Sequence, residues 1–503
     1  MFLLGDGMSL FNGYVPALAA YAVMLILIGW FVGRKVRGAS GFFTADRKLS
    51  TGMLLTTLTA ANVGAGSTVG VAAIAYKSGV SAWWWIGSAG IGSMILAFFV
   101  GPKIWRLAGE HGFNTLGDWL EMRYGRLFRT FCSVMMSIGT VALFAGQLLG
   151  IAWILEVVAG VPKSAGVITG AVVTTLYFAT GGLLSAAAVN LVEVAVIIAG
   201  FFVAVPYAAS FVGGWDGLVA KASANLAPAA GSDYFSFFGL GSTVIIGYLV
   251  MLVPSFFISP GLIGKVFGAR DERAVKVGTA LSGVVQLLFA ALPVFLGMAA
   301  FASFPDLSRP DLALPAAMKN MMPFGVSALA LAAIFAAEVS TADAVLYMIA
   351  GSVSNDLYKV FVNPRMSDSE LLRVSRVVTF AAGVMGVALA LFLDSIISAL
   401  TIFYSLMSVS LAAPLVFGLF TRRASGAGAL VSALFGVALT LFCEYYKGAP
   451  QVDLLVGKLD TAKRLIDFGF MRLNGATCGI LLTFVVMACS LAFSSGRKNK
   501  ERR

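Results

Sequence analysis

Hydrophobic residues fall along this chain in long unbroken runs separated by short polar stretches. A helix needs about 20 apolar residues to cross a bilayer. Runs of that length begin near Tyr14, Thr51, Ser81, Phe128, Ser164, Leu183, Leu240, Gly278, Gly325, Val377, Ser395, Gly426 and Ala476. The pattern therefore predicts an all-α polytopic membrane protein of about thirteen transmembrane helices. The first run is not read as a cleaved signal, because Arg34, Lys35 and Arg37 follow it and no basic stretch precedes it. The two longest outer loops, near 213–237 and 444–467, are too short for a catalytic domain.

Composition agrees. Of the 503 residues, 59% are apolar and only 12% charged, against about a quarter charged in soluble proteins. The 56 glycines suit helices packed closely in lipid. The net charge of +11 is a topological signal. With the N-terminus outside and the runs alternating, 25 of the 35 Lys and Arg residues fall inside and 10 outside, as the positive-inside rule requires. This placement argues against nucleic acid as a partner and puts the C-terminus in the cytoplasm of a plasma (inner) membrane protein. Cys132, Cys443, Cys478 and Cys489 are irregularly spaced and read as small packed hydrophobes. His111, the single histidine, is read as a solvated loop residue. No HExxH, GxSxG or P-loop motif stands in a suitable context, so the chain is read as neither an enzyme nor an ATP-driven pump.

Breakers mark the informative runs, because irregular backbone survives in a bilayer only where it lines a cavity or packs on protein. The second run contains Asn62-Val63-Gly64-Ala65-Gly66-Ser67-Thr68, which suits an unwound centre with free carbonyls. The seventh contains Pro254 and Pro260, each of which removes a backbone donor. These two runs lie five spans apart. Matching interruptions in two five-helix halves are the sign of an inverted-repeat secondary transporter. In the ninth run Ala337, Ser340, Thr341, Ala344 and Met348 share one helical face. The two hydroxyls there either bond back to the preceding turn or join the freed carbonyls around a dehydrated sodium ion. Glu338, Asp343, Asn190 and Glu193 are coupling candidates: an acid at bilayer depth is protonated, paired or in a wet pathway. No Lys or Arg is expected at their depth.

The chain resembles the sodium:solute symporter family on six stretches. These are Phe42–Ser50, Ala60–Ala65, Asn114–Gly125, Gly181-Gly182, Lys265–Arg273, and Ser340-Thr341-Ala342-Asp343 with Asn355–Lys359. The resemblance implies a LeuT-type 5+5 inverted repeat. Residues 14–33 would precede it, 51–213 and 239–420 would form the repeats, and 426–494 would hold two further helices before a basic tail at 495–503. It also implies a sodium site of Ala60, Val63 and Ala337 carbonyls with the Ser340 and Thr341 hydroxyls. The chain departs from the family in having Asn190 for an Asp, Glu193 for a Gln, and Glu338 at an apolar position. Leu252, Ser255 and Pro260 replace the polar set of sugar transporters. Substrate-lining candidates are Gly66, Ser67 and Thr68 beyond the first break, Gln147, and Phe256, Phe257 and Ser259 at the second. The Trp83–Trp85 cluster is read as an interfacial belt. The expected function is sodium-coupled uptake of a small solute that is amino-acid-like, a carboxylate or an amine. The alternatives are proton coupling through Glu338 or Glu193, and a transport-like membrane sensor.

Overall fold

The computed structural model describes residues 13–33, 38–178, 182–226, 231–446, 451–454, 457–469 and 471–500. Arg34, Lys35, Arg37, Gly181, Lys447, Arg502 and Arg503 lie outside the described residues. Each predicted run falls on helix: α1 (Tyr14–Gly33), α2 (Thr51–Asn62 and, past a break, Val71–Ser78), α3 (Trp83–Ile95, running on to His111), α4 (Arg126–Ala159), α5 (Lys163–Phe178) and α6 (Gly182–Val212). Then come α7 (Gly241–Ile258 and Pro260–Phe267), α8 (Ala274–Ser303), α9 (Phe324–Ala350, running on to Phe361) and α10 (Asp368–Phe392). The last three are α11 (Ile396–Phe420), α12 (Gly426–Tyr445) and α13 (Gly475–Lys500). By length and apolarity 11 segments among the described residues can cross a membrane, and Lys163–Leu176 is a shorter apolar helix. The figure falls below thirteen because α5 is short and because the second half of α2 runs on into α3, from Gly66 to His111.

Burial separates a central group from a lipid-facing shell. α9 is the most enclosed span, 89% buried over its apolar window, while α1 is 22% buried. It packs against α6, α4 and both broken helices. The two broken helices are joined at one end: the Leu49 N–H donates to the Gly268 carbonyl at 2.9 Å, and the Arg270 N–H donates to the Leu49 carbonyl at 3.0 Å.

Two readings need correction. Pro254 does not break α7; it lies inside Gly241–Ile258, and the break falls at Ser259, extended at φ −53° and ψ 121°. The outer stretch 444–467 is not plain loop. It enters a four-stranded antiparallel meander of β1 (Gln451–Leu454), β2 (Gly457–Asp460), β3 (Leu465–Asp467) and β4 (Arg472–Asn474). Leu459, Ile466 and Leu473 face inward onto Ile246, Cys443 and Cys478, which ties the sheet to α7, α12 and α13. Strands of three or four residues, with charges alternating on the outer face, leave no long apolar signal. The tail from Ser495 continues α13 as helix to Lys500.

Candidate sodium and solute site

The α2 break is built to leave oxygen bare. α2 stops at Asn62, and Val63 turns the chain to φ −101° and ψ 84°. Beyond it the backbone resumes as a wide turn over Gly66–Gly70. The groups released are satisfied by side chains. The Ala65 N–H donates to Gln147 Oε1 at 2.9 Å. Ser67 Oγ donates to the Asn62 carbonyl at 2.7 Å, and Thr68 Oγ1 lies 2.9 Å from the Gly64 carbonyl. The Gln147 bond removes a cost of about 1–3 kcal/mol for a buried polar group left without a partner, while the Gly64 carbonyl also accepts from the Ser67 and Thr68 N–H groups at 2.9 and 3.0 Å.

α9 crosses this break with its hydroxyl face. Ser340 Oγ lies 3.0 Å from the Ala60 carbonyl and 3.1 Å from the Ala337 carbonyl. Thr341 Oγ1 lies 3.0 Å from the same Ala60 carbonyl and 3.5 Å from that of Ala61. Both residues are buried, as are Ala60 and Ala337. Four uncharged oxygens of two helices thus converge, which is the donor set a small hard cation takes in place of water. The back-bonding alternative holds only for Ser340, which also reaches across to α2, while the bonds of Thr341 among the described residues go to α2. Gly64 permits the approach: a Cβ there would overlap Thr341 Oγ1 and stand 2.8 Å from Gln147 Oε1. Of the expected ligands, Ala60, Ala337, Ser340 and Thr341 are brought together. Val63 caps the helix and bonds to neither hydroxyl among the described residues.

Beside this cluster lies a small cavity of about 40 Å³, room for little more than one water molecule. Asn62, Ser255, Ser259 and Thr341 supply its polar wall, and Phe256 and Tyr404 its apolar one. Phe256 and Ser259 are therefore in place as lining residues. Phe257 is buried but does not line the cavity. Ser67, Thr68 and Gln147 brace the α2 break instead, and Gly66 packs on Leu400 and Trp85. Tyr404 was not anticipated. It sits in an apolar stretch of α11, with its ring 5.8 Å from that of Phe256 and 6.2 Å from that of Trp85. The tryptophans divide. Trp84 is capped by Phe237, while Trp85 is buried against Tyr248.

The acids occupy two separate places. Glu338 points at Thr68, with its Oε1 3.1 Å from Thr68 Oγ1. Glu193 and Asp343 form a second group with Lys265. Lys265 was counted as an inner loop charge and no base was expected at this depth; both expectations are corrected. Pro260–Phe267 carries Lys265 back into the protein, where it is 1% exposed. Its charge acts on Asp343 and Glu193. Asn190 is nearby on α6 and donates to Thr57 Oγ1 at 2.6 Å.

Arg129 was missed because it reads as one more inner-loop charge. It is 6% exposed and reaches Asp118 at 2.9 Å, Glu121 at 2.6 Å and Asp356 at 2.8 Å. It thereby fastens the start of α4 and the helix Leu116–Tyr124 to the end of α9. Outside the spans, Asp311 is buried, and this pushes its carboxyl above the usual carboxylate range. Its Oδ1 accepts from the Ile396 N–H at 3.3 Å, at the start of α11.

Comparison with known proteins agrees with this geometry. The model of the sodium:solute symporter family matches residues 42–436. The sodium/glucose cotransporter of Vibrio parahaemolyticus is 24% identical over 472 residues, 86% of this chain and 85% of its own. The sodium/pantothenate symporter of Escherichia coli K12 is 27% identical over 456 residues, 87% of this chain and 93% of its own. The structure of a Na+-coupled sialic acid symporter in a substrate-bound outward-open state superposes with a TM-score of 0.78 at 17% identity, covering 95% of this chain and 98% of that one. That likeness shows the fold, the LeuT-type arrangement of an all-α membrane protein. The chain belongs to the sodium:solute symporter family, membrane transporters that couple sodium to solute movement.

Proposed function

We propose that this chain carries one small organic solute into the cell together with sodium by alternating access. The observation that supports this best is the convergence of the Ala60 and Ala337 carbonyls with the Ser340 and Thr341 hydroxyls where α9 crosses the α2 break. A sodium ion held there would draw on both helices. Because α2 opens the first repeat (51–213) and α9 stands in the second (239–420), binding would hold the two repeats in one arrangement and preform the solute cavity. Sodium and solute then raise each other's affinity by the same factor.

The solute is amino-acid-like, a carboxylate or an amine. The cavity wall supports that class over a sugar: it offers a few hydroxyls and one amide against Phe256 and Tyr404, while Leu252 is buried without a polar group to offer. The N-terminus lies outside and the C-terminus in the cytoplasm, a reading supported by the distribution of Lys and Arg. α1 precedes the repeats, and α12 and α13 follow them.

Uptake by sealed proteoliposomes tests the proposal. A panel of labelled amino acids, monocarboxylates, amines and hexoses is offered under an inward sodium gradient and under a matched potassium gradient. At least one solute should accumulate with sodium alone. Equal accumulation in both gradients would refute sodium coupling, and accumulation of hexoses alone would refute the solute class.

A further inference from the structure

A groove of about 320 Å³ runs between α5 and α10, against about 40 Å³ for the solute cavity. Its floor is a close approach of the two helices: a Cβ on Gly383 would stand 2.7 Å from Thr175 Oγ1. Val172 and Leu176 form one wall and Phe380 and Val384 the other, each more than half exposed. The helices run in opposite directions, because Lys163 at the start of α5 donates to the Leu391 and Leu393 carbonyls at the end of α10. The end of α5 therefore meets the start of α10, where Arg373 and Arg376 stand.

Water does not suit this groove. A water molecule needs two to four polar partners, and Thr175 carries the one polar side chain of the lining. Left empty, the walls would forfeit dispersion contacts along their whole length. The occupant is therefore apolar, and in a bilayer the apolar medium is hydrocarbon chain.

The mouth of the groove selects the headgroup. At 100° per residue Arg373, Arg376, Phe380, Gly383 and Val384 fall within about 100° of one another on α10. The same stripe that lines the groove thus ends on two arginines. Arg376 is the last charge before Val377–Phe392, which carries none, and it lies roughly 6 Å along the axis from Phe380. Both arginines are exposed, and neither has a hydrogen-bond or ion-pair partner among the described residues. Glu370, in the same turns, is taken by the Asn363 amide at 3.0 and 3.1 Å. Two free guanidinium groups at the edge of an apolar groove complement a phosphate, which they can hold by paired hydrogen bonds. A second copy of the chain is disfavoured, since a two-fold axis along the bilayer normal would set its own Arg373 and Arg376 against these.

We propose that the α5–α10 groove binds one anionic phospholipid, with an acyl chain along Val172, Leu176, Phe380 and Val384 and the headgroup phosphate on Arg373 and Arg376. A net negative headgroup is preferred because a zwitterionic one would bring its own cation beside the two arginines. The bound chain touches both helices and so fastens α5 to α10. No residue of this site belongs to the sodium cluster or lines the solute cavity, so the assignment is independent of sodium coupling.

Native mass spectrometry of the delipidated full chain in detergent tests this by counting bound lipid. The probes are phosphatidylglycerol and phosphatidylcholine carrying the same two oleoyl chains. The wild type should bind one phosphatidylglycerol roughly thirtyfold more tightly than phosphatidylcholine, the worth of two basic residues at an anionic surface. The double variant Arg373→Gln, Arg376→Gln should bind both lipids alike. Should that variant fold poorly, each single Arg→Gln change takes its place, with a loss of roughly fivefold. Val384→Trp fills the groove from an exposed position and should weaken phosphatidylglycerol binding roughly tenfold with both arginines intact. Equal binding of the two lipids by the wild type, or an unchanged preference in the arginine variants, would overturn the headgroup assignment. Unchanged binding in Val384→Trp would overturn the groove. A wild-type dimer that is lost in Val384→Trp would place a second copy there and overturn the proposal.

Discussion

The two broken helices solve the same problem with opposite chemistry. At the α2 break Gln147, Ser67 and Thr68 bind the released backbone groups, and the hydroxyls of α9 reach the carbonyls that remain. At the α7 break little is released. Ser259 still donates its N–H to the Ser255 carbonyl at 3.1 Å, and the second half restarts at once on Pro260, whose missing N–H is no loss at a first helical position. Phe256 and Tyr404 then cover the site with rings. The first break is braced by polar side chains and faces the hydroxyls of α9, and the second is a short bend that sets Phe256 beside Ser255 and Ser259 in the cavity wall. Interruptions in matching places therefore need not do matching work.

Substitutions at the two breaks should separate these roles. Phe256→Ala removes a ring from the α7 wall. It should cost about 3 kcal/mol of stability, at the lower end for a buried aromatic because the residue borders a cavity, while sodium-dependent stabilisation persists. Loss of that stabilisation would mean that the α7 wall also holds the ion. Gly64→Ala drives a Cβ into Thr341 Oγ1. It should cost about 1–3 kcal/mol through overpacking and weaken sodium binding by roughly tenfold or more, about 1.4 kcal/mol, measured by sodium titration of the melting temperature. Gln147→Leu strands the Ala65 N–H and should cost about 1–2 kcal/mol, with a smaller effect on sodium than Gly64→Ala. Pro260→Ala should change stability by less than about 0.5 kcal/mol, since the ring stands where no N–H is required. A large loss there would make the α7 break as demanding as that of α2.

The same contrast shows what a sequence of this kind reveals. Apolar runs disclose α1–α13 because lipid demands length and apolarity of every span. The glycines and hydroxyls around Gly64 disclose the α2 break, and the helical face through Ser340 and Thr341 discloses its partner, since both depend on neighbours close in the chain. What was illegible depends on distant contacts. Tyr404 lines the cavity from α11, some 150 residues beyond the break it faces. Lys265 and Arg129 sit near helix ends, where a base reads as a loop charge, and only the folded path turns them inward. Ser67 and Thr68 were read as lining residues from their place after the break and Gln147 from the family resemblance, and position along the chain does not reveal that all three bond to the broken backbone. The β1–β4 meander escaped because strands of three or four residues hold at most two repeats of the two-residue strand period.

The central claim is that sodium sits among Ala60, Ala337, Ser340 and Thr341. The most direct measurement is equilibrium binding of radiolabelled sodium to the purified full-length protein, with ionic strength held constant by potassium, in the wild type and in the double variant Ser340→Ala, Thr341→Ala. Loss of two oxygens facing a charge, each worth about 1.5–3 kcal/mol, predicts saturable binding in the wild type and binding weakened beyond roughly a hundredfold in the double variant. Unchanged affinity in a well-folded double variant would contradict the assignment.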